Sequence, residues 1–374
     1  MISNFLQQHI DACDFPSAVY LVAEKGEIVL HDALGYAVVE PERIEVKLDT
    51  IYDLASLTKV LVTGLLAAKL VEDEKLNLDD DVSQFLDELS QAQKSKIIVK
   101  DLLVHTSGLQ AWLPLYLPDD DGTLVHTRVS ARIGKLPLAD KSAVIYSDLN
   151  FILLQQIVEN ILQKPLNEAF DVGTSQPLGL KNSCFNPPRE WLSKIAASEK
   201  GNDYERQLCV QQGYIQPPAT AGGSDYFRSE TLWGEVHDGN AYFMGGGAGH
   251  AGLFSTAEET FKIALQFLPN YTTLLKPETC ELFRTNFTEG KNEHRSFAFQ
   301  LASTPDSTSG SKMSPQSFGH LGFTGTSLWI DPVKERIFIL LTNRTHNHDL
   351  PFANINGVRR KFHDLAIDYL DKNR

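Results

Sequence analysis

Thr50-Ile-Tyr-Asp-Leu-Ala-Ser-Leu-Thr-Lys59 runs straight into an apolar stretch carrying Val60, Leu61, Val62, Leu65, Leu66 and Leu70. Ser56 stands three residues before Lys59. If a helix begins here, positions i and i+3 share one face, so hydroxyl and amine point the same way. The stretch is apolar on almost every side, which predicts a helix buried in a core. A lysine inside such a helix must be paired or partly neutral, because desolvation disfavours its charged form. A partly neutral amine beside a hydroxyl is a general base beside a nucleophile. Ser-x-x-Lys is short and common, however, and a surface helix whose first turn carries both residues is the plainer reading of the tetrapeptide alone.

The whole chain sets bounds on what that serine could do. Its 374 residues allow one large domain or two to three ordinary ones. Hydrophobic residues at 42% and charged residues at 22% describe an ordinary globular protein with ample core. A net charge of −14 argues against nucleic acid and anionic membrane surfaces as partners and leaves a small molecule; the clearest basic patch, Arg359-Arg360-Lys361, is short. The first dozen residues lack a basic segment followed by an apolar one, so no signal peptide is read and no stretch is long enough to span a bilayer; a cytoplasmic location is the expectation, unless a leader was trimmed. Cys13, Cys184, Cys209 and Cys280 lie far apart without a Cys-x-x-Cys pair and read as reduced, mostly buried thiols.

Periodicity places these residues in a coarse order. A helical pattern through Ile2, Phe5, Leu6 and Ile10 precedes two β-rich runs, Ser17–Glu24 and Glu27–Gly35, around Lys25-Gly26, an antiparallel hairpin. Glu72 to Asp81 reads as a solvated acidic loop, and Ile97 onward as a short helix closed by Gly108. Residues 114–140 are loop-rich, and an amphipathic helix follows from Phe151. A glycine-dense turn, Gly245–Gly252, feeds a helix over 257–267, and its lack of a P-loop Lys-Ser/Thr points to close backbone packing near the site. The stretch Ser303–Ser317, dense in Ser, Thr, Pro and Gly, is the best candidate for a mobile surface loop. Strands return over 317–323, 327–331 and 336–343, before a closing helix over 357–371. Strands at both ends with helices between predict an α/β (α+β) fold: one antiparallel sheet built from both termini and flanked by helices. The expected organisation is a single catalytic unit, with an α/β part over about 1–75 and 250–374 and a helical, loop-rich insertion over about 76–249.

Two further signals bear on Ser56. Tyr146-Ser-Asp148 stands just before the second buried helix, and His320-Leu-Gly322 lies in a C-terminal strand where glycine allows close approach to the backbone. The order Ser-x-x-Lys, Tyr-x-Asp, His-x-Gly, with Leu103-Val-His-Thr-Ser-Gly-Leu109 between the first two, resembles the serine β-lactamase-like superfamily. It looks closest to the branch of class C β-lactamases, D-alanyl-D-alanine carboxypeptidases and related esterases, and covers roughly residues 15–370. The segments starting at His237 and Gly249 look like family segments too.

The resemblance implies acyl transfer through a covalent intermediate, without a cofactor or metal. Ser56 becomes acylated, Lys59 takes its proton or shares that duty with Tyr146, and the oxyanion rests on the backbone N–H groups of Ser56 and Phe323. Losing one such donor typically costs about 10²–10³ in rate. Asp148, His320, Gly322 and Phe323 then form the substrate side. Two departures from the family pattern concern substrate. Asp148 stands where β-lactamases and DD-peptidases usually have Asn, and can only accept hydrogen bonds, which suits pairing with Lys59. Leu321 replaces the Thr whose hydroxyl helps bind a penicillin or D-alanine carboxylate, leaving a protonated His320 or Thr324 to compensate. Both favour a hydrolase of small esters or amides over a β-lactamase or D-alanyl-D-alanine carboxypeptidase, which is the alternative; a non-catalytic binding protein on the same fold is a third reading. His105 reads as structural at a helix end, His346-Asn-His348-Asp349 as a polar loop lacking a third metal ligand, and Trp112, Trp233 and Trp329 as core by default.

Overall fold

The computed structural model describes residues 1–90, 97–118, 129–216 and 226–373. The three aspartates and Gly122 of the loop expected over 114–140 lie outside them. Among the described residues nine strands carry the frame: β1 Ser17–Glu24, β2 Glu27–Val38, β3 Ile44–Glu45, β4 Tyr52–Asp53, β5 Phe254–Ser255, β6 Gln300–Leu301, β7 Phe318–Leu321, β8 Ser327–Asp331 and β9 Arg336–Thr342. Seven form one antiparallel sheet in the order β3-β2-β1-β9-β8-β7-β6, so the expected sheet from both chain ends is present, with β1 and β9 paired at its centre. The short pair β4–β5 stands apart.

Side chains on a strand alternate faces, and this sheet uses the alternation to build two cores. Ala18, Tyr20 and Val22 of β1, Trp329 of β8, and Phe338 and Leu340 of β9 face the helices Ile2–Asp11 and Asn356–Lys372. Val19 and Leu21, Leu328 and Ile330, and Ile339 and Leu341 face the opposite way, onto Leu57, Val60, Leu61 and the helices of the middle of the chain. Trp329 therefore belongs to the core remote from Ser56. Arg336, 2% exposed, is held by Glu24 at 2.8 Å and Asp371 at 2.5 Å, which joins the first hairpin to the last helix. Phe267, Phe283, Phe297, Phe299 and Phe318 make an edge-to-face cluster under β6 and β7, with Phe283 and Phe267 centroids 4.8 Å apart.

Three local expectations change. The helix Val99–Leu103 ends before His105, which takes the left-handed conformation (φ 60°); Gly108 instead passes so close to Ala139 that a Cβ would lie 2.3 Å from its carbonyl oxygen. Glu72 is not solvated: Lys69 pairs with it and Thr279 Oγ1 donates to it at 2.6 Å. Residues 303–317 are tied to the last helix, with Arg360 Nε donating to Ser307 O, His363 Nδ1 to Thr308 O and Ser311 N to Asp364, so that this segment lies on the face away from Ser56. Its polar residues are spent on fixed turns. No described helix is long and apolar enough to cross a membrane.

Truncating Phe283 to alanine removes the ring that touches four others, and is expected to cost about 3–5 kcal/mol of unfolding free energy in urea titration. A loss under about 1 kcal/mol would show that the cluster does not hold this end of the sheet.

Candidate active site

The Ser56 turn is shaped by its neighbours. Asp53 Oδ1 accepts the Ala55 N–H at 2.8 Å, Ala55 takes a left-handed φ of 48°, and Thr58 Oγ1 donates back to Ala55 O at 2.7 Å. A tight 3₁₀ turn, Ala55–Leu57, results, followed by a π-turn over Lys59–Gly64 and then an α-helix, Leu65–Glu72. Such a π insertion re-aims side chains, and here it turns Lys59 inward. The glycine run packs against this segment as expected: Thr63 Oγ1 donates to Gly249 O, and a Cβ on Gly249 would lie 2.2 Å from Phe151 O.

Lys59 is fully buried. Its Nζ lies 2.9 Å from Ser56 Oγ, 2.7 Å from Asp148 Oδ1 and 3.1 Å from His250 O, and 5.0 Å from the centre of the Tyr146 ring. Burial alone would lower its pKa, but Asp148 and Tyr146 together overcome burial and raise it. The amine is therefore paired, not partly neutral. Asp148 begins the helix Asp148–Leu162, where an acid is favoured by the helix N-terminus.

His105 sets the segment before that helix. Its Nδ1 accepts the Ser147 N–H at 3.1 Å, its carbonyl accepts from Ile145 N, and its ring lies 4.6 Å from that of Tyr146. The expectation of a structural histidine holds, and what it supports is the segment carrying Tyr146 and Asp148.

At the opposite wall stands β7. His320 Nδ1 is 2.9 Å from Leu321 O, an acceptor only, so this nitrogen carries the proton and Nε2 is left as a buried lone pair. Burial, with Arg295 and Lys59 adding to it, pushes the His320 pKa well below the usual histidine value. Thr324 Oγ1 is committed to Asp53 O at 2.8 Å. Neither residue thus replaces the missing threonine as an anion donor. Gly322 allows the tightest approach of the site, since a Cβ there would lie 1.9 Å from Thr326 Oγ1 and 2.6 Å from Leu54 O. Thr326 Oγ1 itself donates to Leu54 O, so the loop after β7 is fastened to the chain just before Ser56.

Ser56, Tyr146, Asp148, His320, Gly322 and Phe323 all line one cavity of about 500 Å³, a volume suited to a small molecule. Lys59 lies behind them, against Ser56 and Asp148. Of Trp112, Trp233 and Trp329, Trp112 lines this cavity. Several lining residues escaped the sequence reading. The helix Asp203–Gln211 contributes Tyr204, Glu205 and Leu208. Burial and Asp238 push the Glu205 carboxyl up to about 7. Asp238 caps a short helix through Ala241 N and meets His250 Nε2 at 2.9 Å; burial would raise its carboxyl, but His250 and Lys59 hold it well below the usual carboxylate range. Asp148, Asp238 and His250 bring metal-ligand atoms within 4.8 Å of one another, with the Lys59 ammonium already against Asp148. Arg295 pairs with Glu293 while its buried Nη1 has no partner, and Arg344 and Arg359 close the cavity beyond Phe323. His237 was noticed only as part of a family segment, while nothing in spacing alone marks the arginines.

Because its pKa is depressed, the His320 ring is expected to stay neutral down through pH 6, seen as ring ¹⁵N shifts that do not titrate between pH 6 and 8. A midpoint inside that range would contradict the buried Nδ1–Leu321 contact. Gly322→Ala is expected to lower activity by at least about tenfold even where the protein folds, since the new methyl displaces Thr326 or Leu54.

A family model described as Beta-lactamase matches residues 2–359. A "Putative D-alanyl-D-alanine carboxypeptidase" of Escherichia coli (strain K12) is 30% identical over 92% of this chain and 82% of its own length. Its counterpart in Salmonella gallinarum (strain 287/91 / NCTC 13346) is 32% identical over 94% and 83%. Among solved structures, "EstCE1, a hydrolase with promiscuous acyltransferase activity" superposes with a TM-score of 0.68 at 22% identity, covering 97% of both chains. A simvastatin synthase (LovD6 mutant) from Aspergillus terreus gives 0.71 at 19%, covering 99% of this chain and 95% of its own. At these identities the structural likenesses speak for the fold alone.

Proposed function

The chain belongs to the Beta-lactamase family, and from that premise we propose that it is a serine hydrolase cleaving an ester or amide of a small molecule through an acyl-enzyme. The observation that carries this reading is that Ser56 and Tyr146, 90 residues apart in the chain (146 less 56), line one cavity with Lys59 buried directly behind them against Ser56. In the proposed reaction Ser56 Oγ attacks the carbonyl carbon and its proton passes to the Lys59–Tyr146 pair. Because Asp148 favours the ammonium form of Lys59, the proton acceptor in the proposed step is Tyr146 acting as a phenolate paired with that ammonium. The same proton then goes to the leaving group as the carbonyl reforms, and water releases the acyl group by the reverse sequence. The backbone N–H groups of Ser56 and Phe323 are the proposed oxyanion donors.

Leu321 and the neutral His320 support a substrate whose recognition does not depend on an anion at the end of β7. The D-alanyl-D-alanine carboxypeptidase reading is kept as a second one for a specific reason: both curated relatives carry that name, and the buried Nη1 of Arg295 offers an unused donor in the cavity wall.

Incubation with a chromogenic short-chain ester and a fluorophosphonate, followed by intact mass and peptide mapping, is expected to give turnover and an adduct on Ser56. Ser56→Ala should abolish both, and Tyr146→Phe or Lys59→Met should each lower kcat/KM by about 10²–10⁴. No adduct and no turnover would sink the proposal. A stable penicillin adduct together with release of D-alanine from a D-alanyl-D-alanine peptide would favour the second reading.

A further inference from the structure

The peptide group joining Gly322 to Phe323 has the Gly322 carbonyl at one end and the Phe323 N–H at the other. Arg359 stands behind this group. Its Nη2 lies 2.9 Å from Gly322 O and 2.9 Å from Thr326 O, and its Nη1 lies 3.0 Å from Asn356 Oδ1. The next carbonyl, that of Phe323, accepts from Arg344 Nε at 2.8 Å, and the same guanidinium lies 4.9 Å from the centre of the Phe323 ring. Two consecutive carbonyls at the end of β7 are therefore each capped by a cation.

Arg359 is 5% exposed, and among the described residues it has no carboxylate partner. Burial and the neighbouring Arg344 push its pKa down to about 9, the direction expected of a cation left without a counter-ion. Keeping such a charge in a protein interior is costly. Closing the turn does not call for it: Gly322 N–H already donates to Thr326 O at 2.8 Å, Gly325 N–H to Gly322 O at 3.2 Å, and Thr326 Oγ1 to Leu54 O. What a guanidinium on the Gly322 carbonyl adds is polarisation. A donor on the C=O of an amide draws electron density toward oxygen and makes the N–H of that amide a stronger donor. A fixed positive charge behind the group also opposes the negative charge that develops on a substrate oxygen in front of it.

We propose that Arg359 is a positioning residue of the oxyanion site, fixing and polarising the Gly322–Phe323 peptide so that the Phe323 N–H binds the developing oxyanion, with Arg344 securing the following peptide. This rests on the acyl-enzyme reading above. It assigns a function in turnover to a residue whose hydrogen bonds go to Gly322, Thr326 and Asn356 and not to Ser56.

The test compares wild type, Arg359→Lys, Arg359→Met and Asn356→Ala on the chromogenic short-chain ester, with melting curves to confirm folding. Arg359→Met is expected to lower kcat by about 10–100-fold while KM stays within about twofold, because the lost interaction acts in the transition state. Arg359→Lys should recover part of that loss by keeping the charge. Asn356→Ala frees the guanidinium without opening the core, and should lower kcat several-fold; it decides the matter if the Arg359 variants do not fold. An unchanged kcat in a folded Arg359→Met, an unchanged kcat in Asn356→Ala where the Arg359 variants fail to fold, or losses that follow only the folded fraction would overturn the inference. A wild type that neither turns over ester nor takes a fluorophosphonate on Ser56 would instead remove the reading on which it stands.

Discussion

A buried ammonium must be met by oxygen from several sides, and the arrangement around Lys59 follows from that requirement. Ser56 Oγ, Asp148 Oδ1 and the His250 carbonyl converge on it from three segments of the chain. Each of those segments is in turn fixed by something else. Asp53 and Thr58 hold the turn of Ser56, His105 holds the segment leading to Asp148, and the glycine run lets the backbone of residues 249–250 come within reach. Removing the charge would leave the Asp148 carboxylate near Asp238 without the cation that offsets it.

Much of this was legible in the sequence. Unbroken apolar runs within 17–24, 327–331 and 336–342 are what strands buried on both faces require, and the sheet from both chain ends follows from them. Ser56, Lys59 and Tyr146 were legible because their motifs occur in a recurrent order. The pairing of Lys59 with Asp148, 89 residues later (Asp148 less Lys59), follows from an aspartate standing in the second motif, although no spacing rule gives its distance of 2.7 Å. Arg359 was hidden by its company: Arg359-Arg360-Lys361 reads as a basic surface patch, yet the helix turns the first arginine inward to the end of β7 and leaves its neighbour to bond Ser307 on the outside. The segment 303–317 is a surface loop as expected, and its hydrogen bonds to the last helix were hidden for a similar reason. Polar turn residues look the same whether their hydrogen bonds go to water or to a helix.

Asp148 and Leu321 gain a physical sense beside each other. A carboxylate at 148 strengthens the hold on Lys59, while leucine at 321 leaves the end of β7 without a side-chain hydroxyl between His320 and Gly322. One change concentrates charge on the Ser56 side of the cavity, and the other removes a hydrogen-bonding hydroxyl from the far side. Arg295, Arg344 and Arg359 supply positive charge there, although the latter two direct it largely to backbone carbonyls.

The pairing of β1 with β9 also sets when the cavity can be completed during synthesis. Glu24 and Arg336, partners across that central pair, are 312 residues apart. At about 5–20 residues per second, the ribosome takes roughly 15–60 s to cover that distance. Until then the first hairpin has an open edge, and the loop that fastens onto Leu54 has only just been made. A nascent chain therefore carries its serine for most of translation without the strand that completes the cavity. The unpaired edge of β1 is meanwhile the part of the newborn chain most in need of protection from its neighbours.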